Sequence, residues 1–117
     1  MNSPDVQSFP TVFAEHNRRV HPRFTVNVQI ELHEENSDIP MRVETTDLSR
    51  GGCYVQLMMP LNVGGRIRAK LWLDGETIVA RGRVVTRHPE FGNGIMFLDF
   101  EGEGEKLLKR YLAAVVS

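Results

Sequence analysis

Apolar and polar residues alternate at period two along most of this chain. Residues 25–32 (TVNVQIEL) and 66–73 (RIRAKLWL) show this alternation most clearly. It is typical of β-strands that bury one face. Further strands are predicted at 41–46, 53–57, 76–87 and 94–100. The pattern therefore predicts six strands.

Turn-forming residues separate the predicted strands. Residues 34–40 form a polar turn, which predicts that the first two strands pair as an antiparallel hairpin. Asp74-Gly75 is the dipeptide most typical of a two-residue hairpin turn. Gly82, inside the fifth predicted strand, indicates a bulge or a close approach of another backbone.

After residue 102 the apolar residues recur with the period of an α-helix. One helical face collects five apolar residues, and Glu103 and Glu105 fall in the first turn, where they complement the helix dipole. The apolar face consists of Leu107, Leu108, Tyr111, Leu112 and Val115. We therefore predict an all-β fold, a small six-stranded antiparallel β-barrel with a C-terminal α-helix packed against the barrel or across one open end. Residues 1–16 are predicted to be an N-terminal tail, and residues 17–117 the barrel domain with its helix.

Length and composition fit one soluble domain. The chain has 117 residues, of which 41% are apolar and 25% charged. It has no apolar run of about 18 residues, so we expect no membrane insertion. Residues 1–10 lack the basic and apolar regions of a secretory signal. The single Cys53 excludes an internal disulfide and falls on an apolar strand face, where we expect it to be buried. A cytoplasmic protein is expected.

The distribution of charge argues against a nucleic-acid polymer as ligand. The formal net charge is −1 and the pI is about 6.4, whereas proteins that coat DNA or RNA usually carry a basic excess. An RNA-binding barrel would also need exposed aromatic residues, and only 8% of residues are aromatic. Basic residues nevertheless cluster locally, which suits a small anionic ligand.

Nothing in the sequence predicts catalysis. The four histidines are scattered without metal-ligand spacing, and the adjacent Glu34 and Glu35 are a poor acid–base pair. We therefore expect neither an enzyme nor a bound metal or cofactor.

Two short motifs carry the candidate chemistry. The first, RRxxxR, consists of Arg18, Arg19 and Arg23 ahead of the first strand. Guanidinium groups match phosphate oxygens two at a time and also pair with guanine O6 and N7. Taken alone, this motif is more simply explained as a solvated basic segment.

The second motif, DxSxxG, follows the second strand. The Asp47 carboxylate can accept hydrogen bonds from the N1–H and N2–H₂ groups of guanine, and the Ser49 hydroxyl can donate to a phosphate. Gly51 and Gly52 permit a tight turn and leave room for a ligand. Alone, the motif is an ordinary turn. The predicted hairpin, however, returns the chain so that residues 47–52 lie near Arg23.

With both motifs in this order, residues 17–115 resemble the PilZ domain, the bacterial receptor module for cyclic di-GMP. The resemblance includes the strand Gly94-Ile95-Met96-Phe97 and the closing helix. It implies a six-stranded barrel with a C-terminal helix. It also implies a set of ligand-binding positions, none of them substituted here: Arg18, Arg19, Arg23, Asp47, Ser49 and Gly52.

The implied function is a receptor that changes conformation on binding cyclic di-GMP and signals to an unidentified partner protein. Arg18, directly before RxxxR, is compatible with binding of an intercalated pair of ligands. Motility, biofilm formation, the partner and the oligomeric state stay open. The alternative is a PilZ-like adaptor, for example in type IV pilus biogenesis, that acts by protein contacts without nucleotide. Such members generally lack one or both motifs.

Overall fold

Six β-strands and one α-helix occur in residues 21–115, the part of the chain that the computed structural model describes. The alternating segments form the strands, and the segment with helical period forms the helix. In chain order the elements are β1 (Gln29–Glu34), β2 (Met41–Leu48), β3 (Gly52–Gln56), β4 (Arg66–Leu73), β5 (Glu76–His88), β6 (Gly92–Phe100) and α1 (Gly104–Val115).

The strands close into a barrel in the order β1-β2-β3-β6-β5-β4, and every neighbouring pair is antiparallel. Since β4 pairs back onto β1, the backbone hydrogen bonds continue around the sheet. The predicted β1–β2 hairpin is confirmed. So is the two-residue turn between β4 and β5, where Asp74 and Gly75 take φ angles of 48° and 88°, as the favoured hairpin turn requires.

Period-two alternation fills the barrel with side chains from every strand. Ile30, Leu71 and Ile95 are fully buried, as is Cys53, which confirms the predicted burial of the thiol. Burial also raises the pKa of that thiol. Gly82 confirms the predicted close approach, because a Cβ there would lie 2.8 Å from the Met96 carbonyl oxygen.

The first predicted strand begins four residues later than expected, at Gln29 instead of residue 25. The reason is the buried Thr45 of β2, whose hydroxyl accepts a hydrogen bond from the Val28 amide at 3.0 Å and donates one to the Val26 carbonyl at 2.9 Å. These side-chain bonds replace part of the strand ladder. A bulge follows directly in β2, between Thr45 and Asp47.

The helix packs against β5 and β6, and its buried apolar side chains are Leu108 and Leu112. It begins at Gly104, so Glu103 precedes the first turn instead of lying in it. The Glu103 carbonyl accepts the first helical hydrogen bond, from Leu107. Val115, predicted on the packed face, is 37% exposed because it lies beyond the last buried position of the stripe.

A buried asparagine fastens the connection between β3 and β4 to the barrel. The Asn93 side chain is fully buried and makes three hydrogen bonds to backbone groups. Its oxygen accepts from the Leu61 amide at 2.8 Å, and its amide group donates to the carbonyls of Leu61 at 2.9 Å and Thr86 at 3.0 Å. β6 accordingly starts at Gly92, two residues before the predicted start.

Candidate functional site

The fold brings the two motifs together beside the end of β2. Phe24 and Leu48 exchange two backbone hydrogen bonds of 2.9 Å, which places the segment before β1 alongside the end of β2. Arg23 consequently lies next to Asp47, with 3.8 Å between Nη1 and Oδ2. The proximity expected from the hairpin is therefore present. Of the predicted site residues, Arg18 and Arg19 lie outside the described residues.

The contact between Arg23 and Asp47 is a partly buried ion pair. Their side chains are only 29% and 20% exposed. Burial raises the pKa of the Asp47 carboxyl, and the positive charge of Arg23 offsets part of that rise. Oδ1 of Asp47 is buried and accepts no hydrogen bond from the described residues. Because a desolvated carboxylate oxygen without a donor is unfavourable, this atom is well suited to accept a donor from a ligand.

Ser49 shapes the turn after β2. Its side chain is fully buried, and Oγ accepts hydrogen bonds from the amides of Gly51 at 3.0 Å and Gly52 at 3.1 Å. The hydroxyl also points back at the Gly52 carbonyl, 3.3 Å away. This is the way in which serine commonly stabilises a tight turn. The predicted donation from Ser49 to a phosphate stays a prediction, and the structure adds a turn-building role.

The rest of the turn is fixed to the neighbouring strand. The Gly51 carbonyl accepts a hydrogen bond of 2.9 Å from the Phe97 amide of β6. Gly52 is buried and is the first residue of β3. It pairs with Met96 of β6. Hydrogen bonds within the turn and pairing with β6 therefore both fix the backbone between Asp47 and Gly52.

Tyr54 and His88 adjoin the motifs and were not among the predicted site residues. Tyr54 is the cross-strand partner of Asp47, and its hydroxyl is hydrogen-bonded to Nδ1 of His88 at 2.8 Å. Burial raises the pKa of Tyr54, and the charge of Asp47 raises it further. His88, one of the four scattered histidines, is half-buried. The pairing depends on the bulge in β2, which alternation alone does not reveal.

His21, in the segment before β1, lies within electrostatic range of charged residues on two other elements. Burial lowers its pKa, the positive charge of Arg50 lowers it further, and the negative charge of Glu105 in α1 acts in the opposite direction. Nδ1 of His21 is buried without a hydrogen-bond partner among the described residues. Residues of the Arg motif, of the turn and of the helix therefore act on one another electrostatically.

Two kinds of feature are absent from residues 21–115. In this range, no group of three or more His, Cys, Asp or Glu side chains could hold a metal ion. The same range contains no helix with the length and apolar character needed to cross a membrane.

The sequence matches the family model described as the PilZ domain over residues 17–114. Both motifs lie inside the matched segment, including the two arginines outside the described residues. Among curated proteins, none matches the sequence.

Solved structures show the same architecture. The PilZ domain of CeSA from a cellulose-synthesizing bacterium aligns with a TM-score of 0.66 at 19% identity, covering 82% of this chain and 99% of that one. The Bacillus subtilis inhibitor of motility, MotI/DgrA, aligns with a TM-score of 0.59, also at 19% identity, covering 85% of this chain and 52% of the other. At this identity, the two alignments support the fold alone.

Proposed function

The chain belongs to the PilZ family, and we propose that it is a cytoplasmic receptor for cyclic di-GMP that signals to a partner protein. PilZ domains are non-catalytic binding modules that typically bind this dinucleotide. The proposed event is therefore binding followed by a change of conformation, without a chemical step.

The observation that carries the proposal is the contact between Arg23 and Asp47, which joins the two motifs at one place. Cyclic di-GMP presents phosphates, which attract a guanidinium, and guanine N–H groups, which need an acceptor. Arg23 supplies the guanidinium for a phosphate, and the buried carboxylate of Asp47 supplies the acceptor for the guanine N–H groups. In this proposal Arg18 and Arg19 add further phosphate and guanine contacts, while Ser49 and Gly52 fix the shape of the turn.

The same contact suggests how binding changes the protein. Arg23 Nη1 and Asp47 Oδ2 are 3.8 Å apart, beyond the range of a good hydrogen bond. A ligand that offers phosphate to Arg23 and guanine donors to Asp47 forms two charge-assisted hydrogen bonds at this place. This difference in interaction energy favours a conformation in which the Arg motif closes over the ligand. A partner protein then recognises the new surface.

An adaptor that works without nucleotide is the second candidate, because large apolar side chains are exposed at the loops after β3 and β5. Met58, Met59 and Phe91 are 79%, 84% and 66% exposed. The Leu57 amide donates to the Phe91 carbonyl at 3.0 Å, so the two loops are adjacent. Contiguous exposed apolar surface is typical of protein contacts. A signalling receptor needs such a surface too, so this observation leaves the first proposal in place.

Calorimetric titration with cyclic di-GMP separates the two candidates. We expect saturable binding to the native protein and a loss of at least tenfold for Arg23→Ala, since a charge-assisted hydrogen bond contributes about 1.5–3 kcal/mol. Arg42→Ala is the matched control, because Arg42 lies on β2 outside both motifs and stacks on Trp72 at 4.2 Å. It should change the affinity less than twofold. No detectable binding to the native protein at tens of micromolar would reject the receptor and leave the adaptor.

A further inference from the structure

Four arginines stand on the outer face of the neighbouring strands β4 and β5. Arg66 lies directly opposite Arg83, and Arg68 directly opposite Arg81. Their orientation follows from the alternation, because Ile67 and Gly82 between them and Val84 after them are buried. Like charges directly opposite each other on a sheet destabilise the pairing unless other groups compensate them.

Among the described residues, carboxylates compensate one of the two pairs. Arg68 forms an ion pair with Glu101 at 3.1 Å, and Arg81 one with Asp99 at 2.7 Å. Arg66 and Arg83 have no carboxylate of a described residue within ion-pair distance. These two adjacent positive charges therefore have no direct ion-pair partner among the described residues, although Glu34 and Glu35 line the same pocket as Arg66.

Arg83 also carries a buried hydrogen-bond donor. The side chain is half-buried, and its Nε finds no hydrogen-bond acceptor among the described residues. Such a group is costly, and more so when it is charged. An anion bound here would accept the hydrogen bond and neutralise charge at the same time.

The position of Arg83 relates it to the candidate site. Arg83 is the cross-strand partner of Met96 in β6, and Met96 is the partner of Gly52 in β3. All three occupy the same outward-facing row of the sheet. Two strand spacings of about 4.8 Å separate the Cα of Arg83 from that of Gly52, so they are roughly 10 Å apart. A dinucleotide lying on this row spans such a distance.

We propose that Arg83, with Arg66 beside it, is an additional phosphate-binding element of the nucleotide site, reached across Met96 from the turn at Gly52. The inference rests on the proposed function, because it assigns a further contact to the same ligand. It extends the site beyond the two motifs, onto β5 and β4. The ligand then bridges the turn after β2 and the arginines on the far side of β6.

The test compares Arg83→Gln with Arg81→Gln in calorimetric titrations with cyclic di-GMP. Both variants remove one positive charge from the outer face of β5, but Arg81 is already paired with Asp99. We expect at least tenfold weaker binding for Arg83→Gln and less than twofold for Arg81→Gln. Equal losses would indicate diffuse electrostatics and overturn the inference, as would native affinity in Arg83→Gln.

Two further measurements keep the result interpretable. Arg83→Lys retains the charge but lacks Nε, so we expect a smaller but measurable loss, and native affinity in this variant overturns the inference even if Arg83→Gln does not fold. In NMR titrations of the native protein, the Arg83 Nε–H resonance should shift with the same saturation as the binding curve. Failure of the native protein to bind rejects the proposed function itself. If the native protein binds and the Arg83 variants bind with the same affinity, only the extended site is rejected.

Discussion

Replacing Ser49 by alanine tests whether its hydroxyl builds the turn that holds the candidate site. Oγ of Ser49 is the acceptor for the amides of Gly51 and Gly52, at 3.0 and 3.1 Å. The substitution leaves both amides without this acceptor. The turn then loses part of its internal support, although the 2.8 Å hydrogen bond from the Ser49 amide to the Gly52 carbonyl remains, and we expect the position of Asp47 relative to Arg23 to change with it.

The size of the effect follows from burial. An unsatisfied buried amide costs about 1–3 kcal/mol. Gly52 is buried and therefore incurs this cost, whereas Gly51 is half-buried and water can replace part of its bond. We expect Ser49→Ala to lower the free energy of unfolding by about 2 kcal/mol, measured by urea denaturation. Since about 1 kcal/mol shifts the Tm of a domain of this size by roughly 5 °C, the Tm should fall by about 10 °C.

Ser37 provides a matched control. Its Oγ accepts a hydrogen bond from the Ile39 amide at 3.1 Å in an exposed turn, so Ser37→Ala should cost no more than about 0.5 kcal/mol. Cyclic di-GMP should bind Ser49→Ala more weakly because the turn is displaced. The turn-building role is refuted if Ser49→Ala unfolds within about 0.5 kcal/mol of the native protein. Lost binding with native stability would identify the hydroxyl as a direct ligand group instead.

Two other substitutions have opposite effects on stability. Asp47→Asn should stabilise the ligand-free protein at pH 7 while weakening cyclic di-GMP binding, because burial raises the pKa of Asp47 and so disfavours its charged form. A raised pKa in the native state means that this state binds the proton more tightly than the unfolded state does. The stability gained by Asp47→Asn should therefore shrink as the pH falls through the native pKa of Asp47. A gain in stability that grows on acidification would contradict the argument. Asn93→Ala should lower the free energy of unfolding by about 3 kcal/mol or more, since three buried backbone groups lose their partner. A loss below about 1 kcal/mol in urea denaturation would show that they find other partners.

The fold could be predicted from the sequence where the hydrophobic pattern and the turn-forming residues agree. β4 has the predicted bounds, and the turn at Asp74 and Gly75 joins it to β5 as predicted. The start of β1 was not readable, because it is determined by the hydroxyl of Thr45, about seventeen residues further along the chain. Alternation describes which face a residue occupies, but it does not report a side chain that takes over the hydrogen bonds of a strand.

The candidate site was readable only in its motif residues. The resemblance of the two motifs to those of the PilZ family pointed to Arg23 and Asp47, and the predicted hairpin implied their proximity. Tyr54 and Arg83 depend on register: Tyr54 faces Asp47 only because β2 contains a bulge, and Arg83 aligns with Gly52 only through β6. β3 and β6 pair across more than thirty residues of chain. No local pattern specifies such pairings, so these two residues required the structure.

Mapping of amide shifts by NMR during a titration with cyclic di-GMP tests the central claim most directly, because it reports binding and its location together. We expect saturable shifts at Arg23 and along residues 47–52, from both motifs with one common affinity. The loops that carry Met58 and Phe91 should show smaller, secondary shifts. An absence of shifts, or shifts confined to those loops while the two motifs stay unchanged, would contradict a nucleotide site formed by the two motifs.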